Sequence, residues 1–182
     1  MTNTSTTTLP LRAGTWTLDP FHSTVGFTIR HLGISKVRGT FSEFDASLVV
    51  GHEVADTSVE ALVQTASIDT GIEDRDAHVR SSDLLDVATR PTMAFRSTSI
   101  SGSGDDWVLE GELTIGDITR PITLDVELGG VELHPGDGRH HAGFEARTEL
   151  RRKDYGIDFG LLDAALGQVV KIELDLQFVE PV

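Results

Sequence analysis

The sequence predicts an all-β protein, an antiparallel sheet of about eight strands closed into a barrel, with one or two short helices. Three observations predict it. Several segments alternate apolar and polar residues, the period of a strand with one buried and one wet face. Glycine-containing turn signals separate neighbouring segments. Only two stretches break the alternation.

The elements follow in order. Val25, Phe27 and Ile29 alternate with Gly26, Thr28 and Arg30. Phe44, Ala46, Leu48 and Val50 share a second face, and Val59, Ala61 and Val63 a third. Trp107, Leu109, Leu113 and Ile115 alternate with Val108, Glu110, Glu112 and Thr114. Ile122, Leu124, Val126 and Leu128 form the next row, then Ala142, Phe144 and Ala146, then Val170, Ile172, Leu174, Leu176 and Phe178. Gly116-Asp117 reads as a tight hairpin turn, residues 102–106 as a hairpin loop, and Gly129-Gly130 and residues 135–138 as turns. Pro121 lacks a ladder donor, so its strand is expected to pair fully only after it. Residues 72–85 begin with acids and space Ala77, Arg80 and Leu84 as a short helix would. Residues 153–165 read as a loop with one helical turn. The Thr/Ser-rich residues 1–13 are expected to be a disordered tail before a single domain over residues 14–182.

Composition narrows function. The chain of 182 residues carries a formal charge of -14. That balance repels phosphate backbones, so no nucleic-acid partner is expected. No cysteine is present, which excludes disulfides, thiolate metal sites and cysteine nucleophiles. No run approaches the roughly 18 apolar residues of a membrane span. The N-terminus shows no basic region followed by an apolar stretch, and a cytoplasmic protein is expected.

The chemical motifs are sparse. Seven histidines are scattered, with no HxH in a strand and no HExxH, and no metal site is predicted. In one continuous strand His22 and His31 have opposite parity and face opposite ways. Ser23 beside His22 and Asp19 cannot build a triad by proximity, and no GxSxG elbow exists. Gly102 to Gly104 belongs to a hairpin, not to a nucleotide-binding turn. No catalytic residue is assigned. The alternative is a metal-dependent or histidine-based enzyme using His22, His31 and His78. A third reading is a barrel filled by its own side chains, because alternation alone does not separate filled from hollow.

The order of motifs resembles the YceI family of polyisoprenoid-binding, lipocalin-like barrels. The resemblance runs from W-x-L-D-x-x-H-S-x-V-x-F-x-I-x-H (16–31) through V-R-G-x-F-x-x-F (37–44), A-H-V-R-S-S-D-L-L-D-V (77–87) and P-T-M-A-F-R-S-T (91–98). It continues with G-E-L-T-I-G-D-I-T-R-P-I-T-L (111–124), R-K-D-Y-G-I (152–157) and G-x-V-V-K-I-E-L (167–174). Leu84 and Leu85 stand where an aromatic is common. The resemblance implies a lipocalin-like barrel whose apolar channel holds a long isoprenoid, such as a polyprenyl or quinone tail, or a similar amphiphile. No other cofactor is expected, and a homodimer only by analogy. The rows expected to line the channel contain Phe27, Ile29, Phe44, Leu48, Phe95, Leu113, Leu124, Phe144, Ile172 and Leu174. Asp19, His22, His31, His78 and Arg80 are expected to form a polar latch over one barrel end, or to meet the ligand's head.

Overall fold

Residues 8–182, which the computed structural model describes, fold into eleven strand segments and one α-helix. The strands are β1 (Gly14–Leu18), β2 (Thr24–His31), β3 (Ser35–Phe41), β4 (Phe44–Val50), β5 (Ser58–Gln64) and β6 (Ile68–Asp69). After α1 (Glu73–Arg80) come β7 (Thr92–Ser103), β8 (Asp106–Ile115), β9 (Ile118–Leu133), β10 (His140–Arg151) and β11 (Leu166–Val179). All pairings are antiparallel, and β11 closes the sheet by meeting β1 at Leu18↔Phe178.

The eleven segments make eight staves. β1 and β2 both run along β11, which pairs Thr17 with Val179 and, past a bend, Thr24 with Asp175. β4 and β3 lie beside β1 and β2 in the same way, and β5 and β6 beside β4 and β3. Each pair is one strand broken at a bend: the Pro20–His22 turn, residues 42–43, and the Thr65–Ser67 turn. The result is an eight-stranded up-and-down barrel. Two aromatic rings lie across glycines where the sheet curves. A β-carbon on Gly39 would stand 2.5 Å from Cζ of Phe27, and one on Gly111 2.5 Å from the Phe95 ring. Only glycine lets those rings lie flat on the backbone.

The core has three levels along the barrel. Trp16, Leu18, Leu48, Ala142 and Phe178 pack at the upper end. Leu109, Leu124 and Ala146 form the middle. Phe41, Ile68, Leu85, Ile115, Leu150, Tyr155 and Ile157 form the floor. Buried Arg152 ties the floor together. It donates to the carbonyls of Gly167, Ile157, Asp163 and Leu166 and pairs with the Asp163 carboxylate. Buried Asp76 accepts from Thr70 N, and Arg80 donates to Ala66 O and Ile68 O, so α1 is fastened across the same end.

Some sequence expectations shift. Gly129-Gly130 is not a turn. β9 runs through it with a bulge, since Gly143 pairs with Gly130 but Phe144 with Leu128, leaving Gly129 over. Pro121 sits within β9 opposite Glu112, while the β10 ladder begins only at Asp125. Its missing donor therefore faces an edge with no ladder. Helix 72–85 is shorter, ending at Arg80, and residues 153–165 hold two 3-10 turns, Arg152–Tyr155 and Gly160–Ala165. Of the expected tail, residues 1–7 lie outside the described residues, whereas Leu9 and Leu11 pack on the upper cluster.

Candidate functional site

The inward rows of all eight staves leave an internal cavity of about 200 Å³. It spans the three core levels, from Leu48 and Phe178 past Leu109 and Ala146 to Phe41 and Leu150. The space persists because Ala46, Ala61 and Ala146 stand on its wall where larger residues would fill a barrel of this size.

The wall offers almost nothing to a polar ligand. Its polar side chains are Asp45, Thr57 and Thr148. Each is already engaged with backbone: Asp45 accepts from Ala46 N, Thr57 accepts from Gly51 N and donates to Glu53 O, and Thr148 donates to Thr123 O. Among the described residues no buried side-chain nitrogen or oxygen lacks a partner. A guest in this space can be held by apolar contact and shape alone.

The structure places Phe44, Leu48, Phe95, Leu113, Leu124, Phe144, Ile172 and Leu174 on the cavity wall. Phe27 and Ile29 are not on it. They share the parity of Val25, which is, but β2 descends past the floor. Phe27 packs there against Phe41, ring centroids 5.7 Å apart, and Ile29 is buried lower still on the same strand. Strand parity finds a face but not the level at which a floor crosses it. The sequence reading missed Leu9, Leu11, Ile100 and Trp107, which also line the space.

The five polar latch residues do not come together. Asp19 and His22 sit at the β1–β2 bend. Asp19 accepts from Phe21 N at 2.9 Å and meets His22 Nδ1 at 2.8 Å, and its own N–H donates to Gln177 O. Ser23 Oγ donates to Asp19 O and accepts from Gln177 N. This knot holds the strand against β11 through its break. Burial pushes the Asp19 carboxyl upward, but the hydrogen bonds from His22 and Phe21 outweigh it and hold the pKa below the usual value. His78 and Arg80 lie at the floor on α1, where the His78 ring meets Phe159 at a tilt of 50°, centroids 5.3 Å apart. His31 is exposed at the end of β2.

A polar chain that the sequence did not reveal continues from Asp19. Gln177 Nε2 lies 3.4 Å from Asp19 and 2.8 Å from His141 Nδ1. His141 Nε2 lies 3.0 Å from Asp137, and the His134 ring stacks on His141 at 4.6 Å. Hydrogen bonds from His141 and Arg139 N hold Asp137 down at a pKa of about 2. Among the described residues His134, Asp137 and His141 are the group whose ligand atoms lie within 4.8 Å of one another; His22, His31 and His78 form no such group. The signal was H-x-x-D-x-x-x-H across the β9–β10 hairpin.

Fold and site together define the class: an eight-stranded lipocalin-like β-barrel with an apolar interior. A model of the YceI-like domain matches residues 16–178. Protein YceI of Escherichia coli O17:K52:H18 is 37% identical over 155 residues, covering 84% of this chain and 81% of the relative. The chain belongs to the YceI family. Among solved structures, the YCEI protein of Campylobacter jejuni superposes with a TM-score of 0.74 at 25% identity, covering 85% of this chain and 91% of that one. BcnA of Burkholderia cenocepacia gives 0.77 at 20% identity (88% and 98% covered). A polyisoprenoid binding domain from Saccharophagus degradans gives 0.69 at 14% identity, covering 91% and 98%. Among the described residues no helix is long and apolar enough to cross a membrane.

Proposed function

We propose that this protein is a non-catalytic lipid-binding barrel that holds the tail of a long-chain isoprenoid, polyprenyl or quinone, or of a similar amphiphile, and carries or sequesters it. One observation carries the reading: the cavity wall is apolar, and its three polar side chains are all bonded to backbone. Such a wall discriminates by length and girth. Each buried methylene is worth roughly 0.8 kcal/mol, so a branched hydrocarbon of several isoprene units binds tightly without a polar contact. Membership of the YceI family and the likeness to a polyisoprenoid binding domain support the same ligand class. The candidates for a headgroup contact are the upper polar chain, from Asp19 and His22 through Gln177 to His141.

The test is native mass spectrometry of freshly purified protein beside analysis of its organic extract. The expected result is a lipid near one per chain, released by solvent and identified in the extract. An empty protein that takes up neither added polyprenol nor quinone would refute the proposal.

A further inference from the structure

Two loops below the floor expose aliphatic side chains that the fold does not use. At the β2–β3 tip Leu32 is 57% exposed and Ile34 81%. In the Gly160–Ala165 turn Leu161 is 103% exposed and Leu162 61%. The loops adjoin, since Leu32 N donates to Ala165 O at 2.7 Å. Leu32 is also strained. It and Gly33 are the central residues of the His31–Ile34 turn, and Leu32 has φ 52°. That conformation suits Asn or Gly and disfavours leucine. A leucine kept both exposed and in a left-handed turn is poorly explained by folding.

On the hairpin itself the charge matches, in contrast to the acidic start of α1 at the same end. The hairpin from Thr24 to Phe41 contains Arg30, Lys36 and Arg38 and no acidic residue, in a chain with 29 acidic residues. Arg30 pairs across the hairpin with Lys36, and Arg38 follows two residues on, so all three share one face. The acids of the neighbouring loop are engaged: Asp163 by Arg152 and Lys153, and Asp158 by Lys153.

We infer that this end of the barrel docks on an anionic lipid bilayer, with Leu32, Ile34 and Leu161 entering the headgroup–acyl boundary and Arg30, Lys36 and Arg38 meeting phosphates. The inference goes beyond the proposed function: it names a membrane surface on which the barrel sits, and it does not depend on the route by which lipid enters the cavity. Aliphatic tips framed by cations are what an interfacial site requires. A second copy fits worse: a two-fold contact would set the three cations against their own kind with no acid in the hairpin between them. The overall negative charge does not forbid docking, because charges beyond roughly 10 Å are screened at physiological salt.

The experiment is co-sedimentation of the full chain with vesicles of phosphatidylcholine alone and of equimolar phosphatidylcholine and phosphatidylglycerol. Binding to the anionic vesicles is expected, weakening as salt rises. Ile34→Ser with Leu161→Ser should lower it about tenfold or more, and Lys36→Gln about fivefold. Leu32→Asn should lower it while raising thermal stability, a combination that a folding role for Leu32 forbids. Absent vesicle binding, or binding indifferent to these variants, overturns the inference. So does a dimer in light scattering that the Ile34→Ser, Leu161→Ser variant dissolves, which gives the face to a second copy. Native mass spectrometry of each variant reports cavity lipid separately. Lipid retained without vesicle binding refutes docking alone; vesicle binding by an empty barrel refutes the cavity reading alone.

Discussion

Ala146→Phe offers a direct test of the cavity. Ala146 is buried at mid-barrel between Val126 of β9 and Leu174 of β11, and its methyl group forms part of the cavity wall beside Leu109 and Leu124. A phenyl ring there projects into empty space and divides the cavity near its middle. If it excludes one five-carbon isoprene unit, the loss at roughly 0.8 kcal/mol per carbon is about 4 kcal/mol, near a thousandfold in affinity. The fold should tolerate the change to within about 1 kcal/mol, because the ring enters a void rather than a packed core. Titration of delipidated protein with a polyprenol of fixed length, followed by native mass spectrometry or a displaced fluorescent lipid, measures the effect. Glu145→Gln, on the outward face of the same strand, should bind as the parent does. A variant as stable as the parent that binds the same polyprenol equally well would refute the placement of the ligand.

Three further outcomes are expected. Arg152→Ala should cost about 3–5 kcal/mol, read by thermal or denaturant unfolding, because it strands a buried set of carbonyls and the Asp163 carboxylate; Arg152→Lys should rescue little, lacking the planar fork. Gly39→Ala should cost about 1–3 kcal/mol by driving a methyl group into the Phe27 ring and towards Asp69 O at 2.9 Å, and an unchanged melting temperature would show that the ring moves freely. Acid should weaken the protein below about pH 4. Asp19, Asp137, Asp163 and Glu180 all have folded pKa values below their ordinary ones, so each adds stability that is present above the unfolded pKa and is lost as pH falls through the folded one. For Asp137 that window runs from 3.8 down to about 2, and Asp137→Asn should flatten the stability profile there.

The barrel was legible because burial on one face imposes a period of two, and nearly every long strand keeps it. The bends were not. Pro20–His22 reads locally as a turn, and nothing near it shows that the chain resumes along the same partner strand, since that depends on Gln177 accepting from Asp19 far away in sequence. The Gly129 bulge was hidden for the same reason: two glycines read as a turn unless the pairing of Gly143 with Gly130 is known. Within the site, parity placed Phe44, Phe95 and Leu124 on the inner face, but it could not say that the floor passes above Phe27. The histidines were the hardest to place. Their partners are set by which strands meet, so His141 joined Asp137 and Gln177, while His22, His31 and His78 went to separate parts of the fold.

A hollow of this kind is a thermodynamic statement. Empty apolar space costs about 24 cal/mol per Å³ relative to a filled core, so a cavity of about 200 Å³ forgoes roughly 5 kcal/mol. That approaches the whole net stability of a typical domain. The deficit would be removed by larger side chains at Ala46, Ala61 and Ala146, all ordinary substitutions for a strand. The sequence instead keeps small residues at these positions, and among the described residues no fully buried side-chain nitrogen or oxygen is left unpaired to order water. A barrel so built gains stability from a guest in proportion to ln(1 + [L]/Kd). Its melting temperature should therefore rise with added polyprenol in the parent protein and stay flat in Ala146→Phe, which ties the void, the ligand and the fold to one measurement.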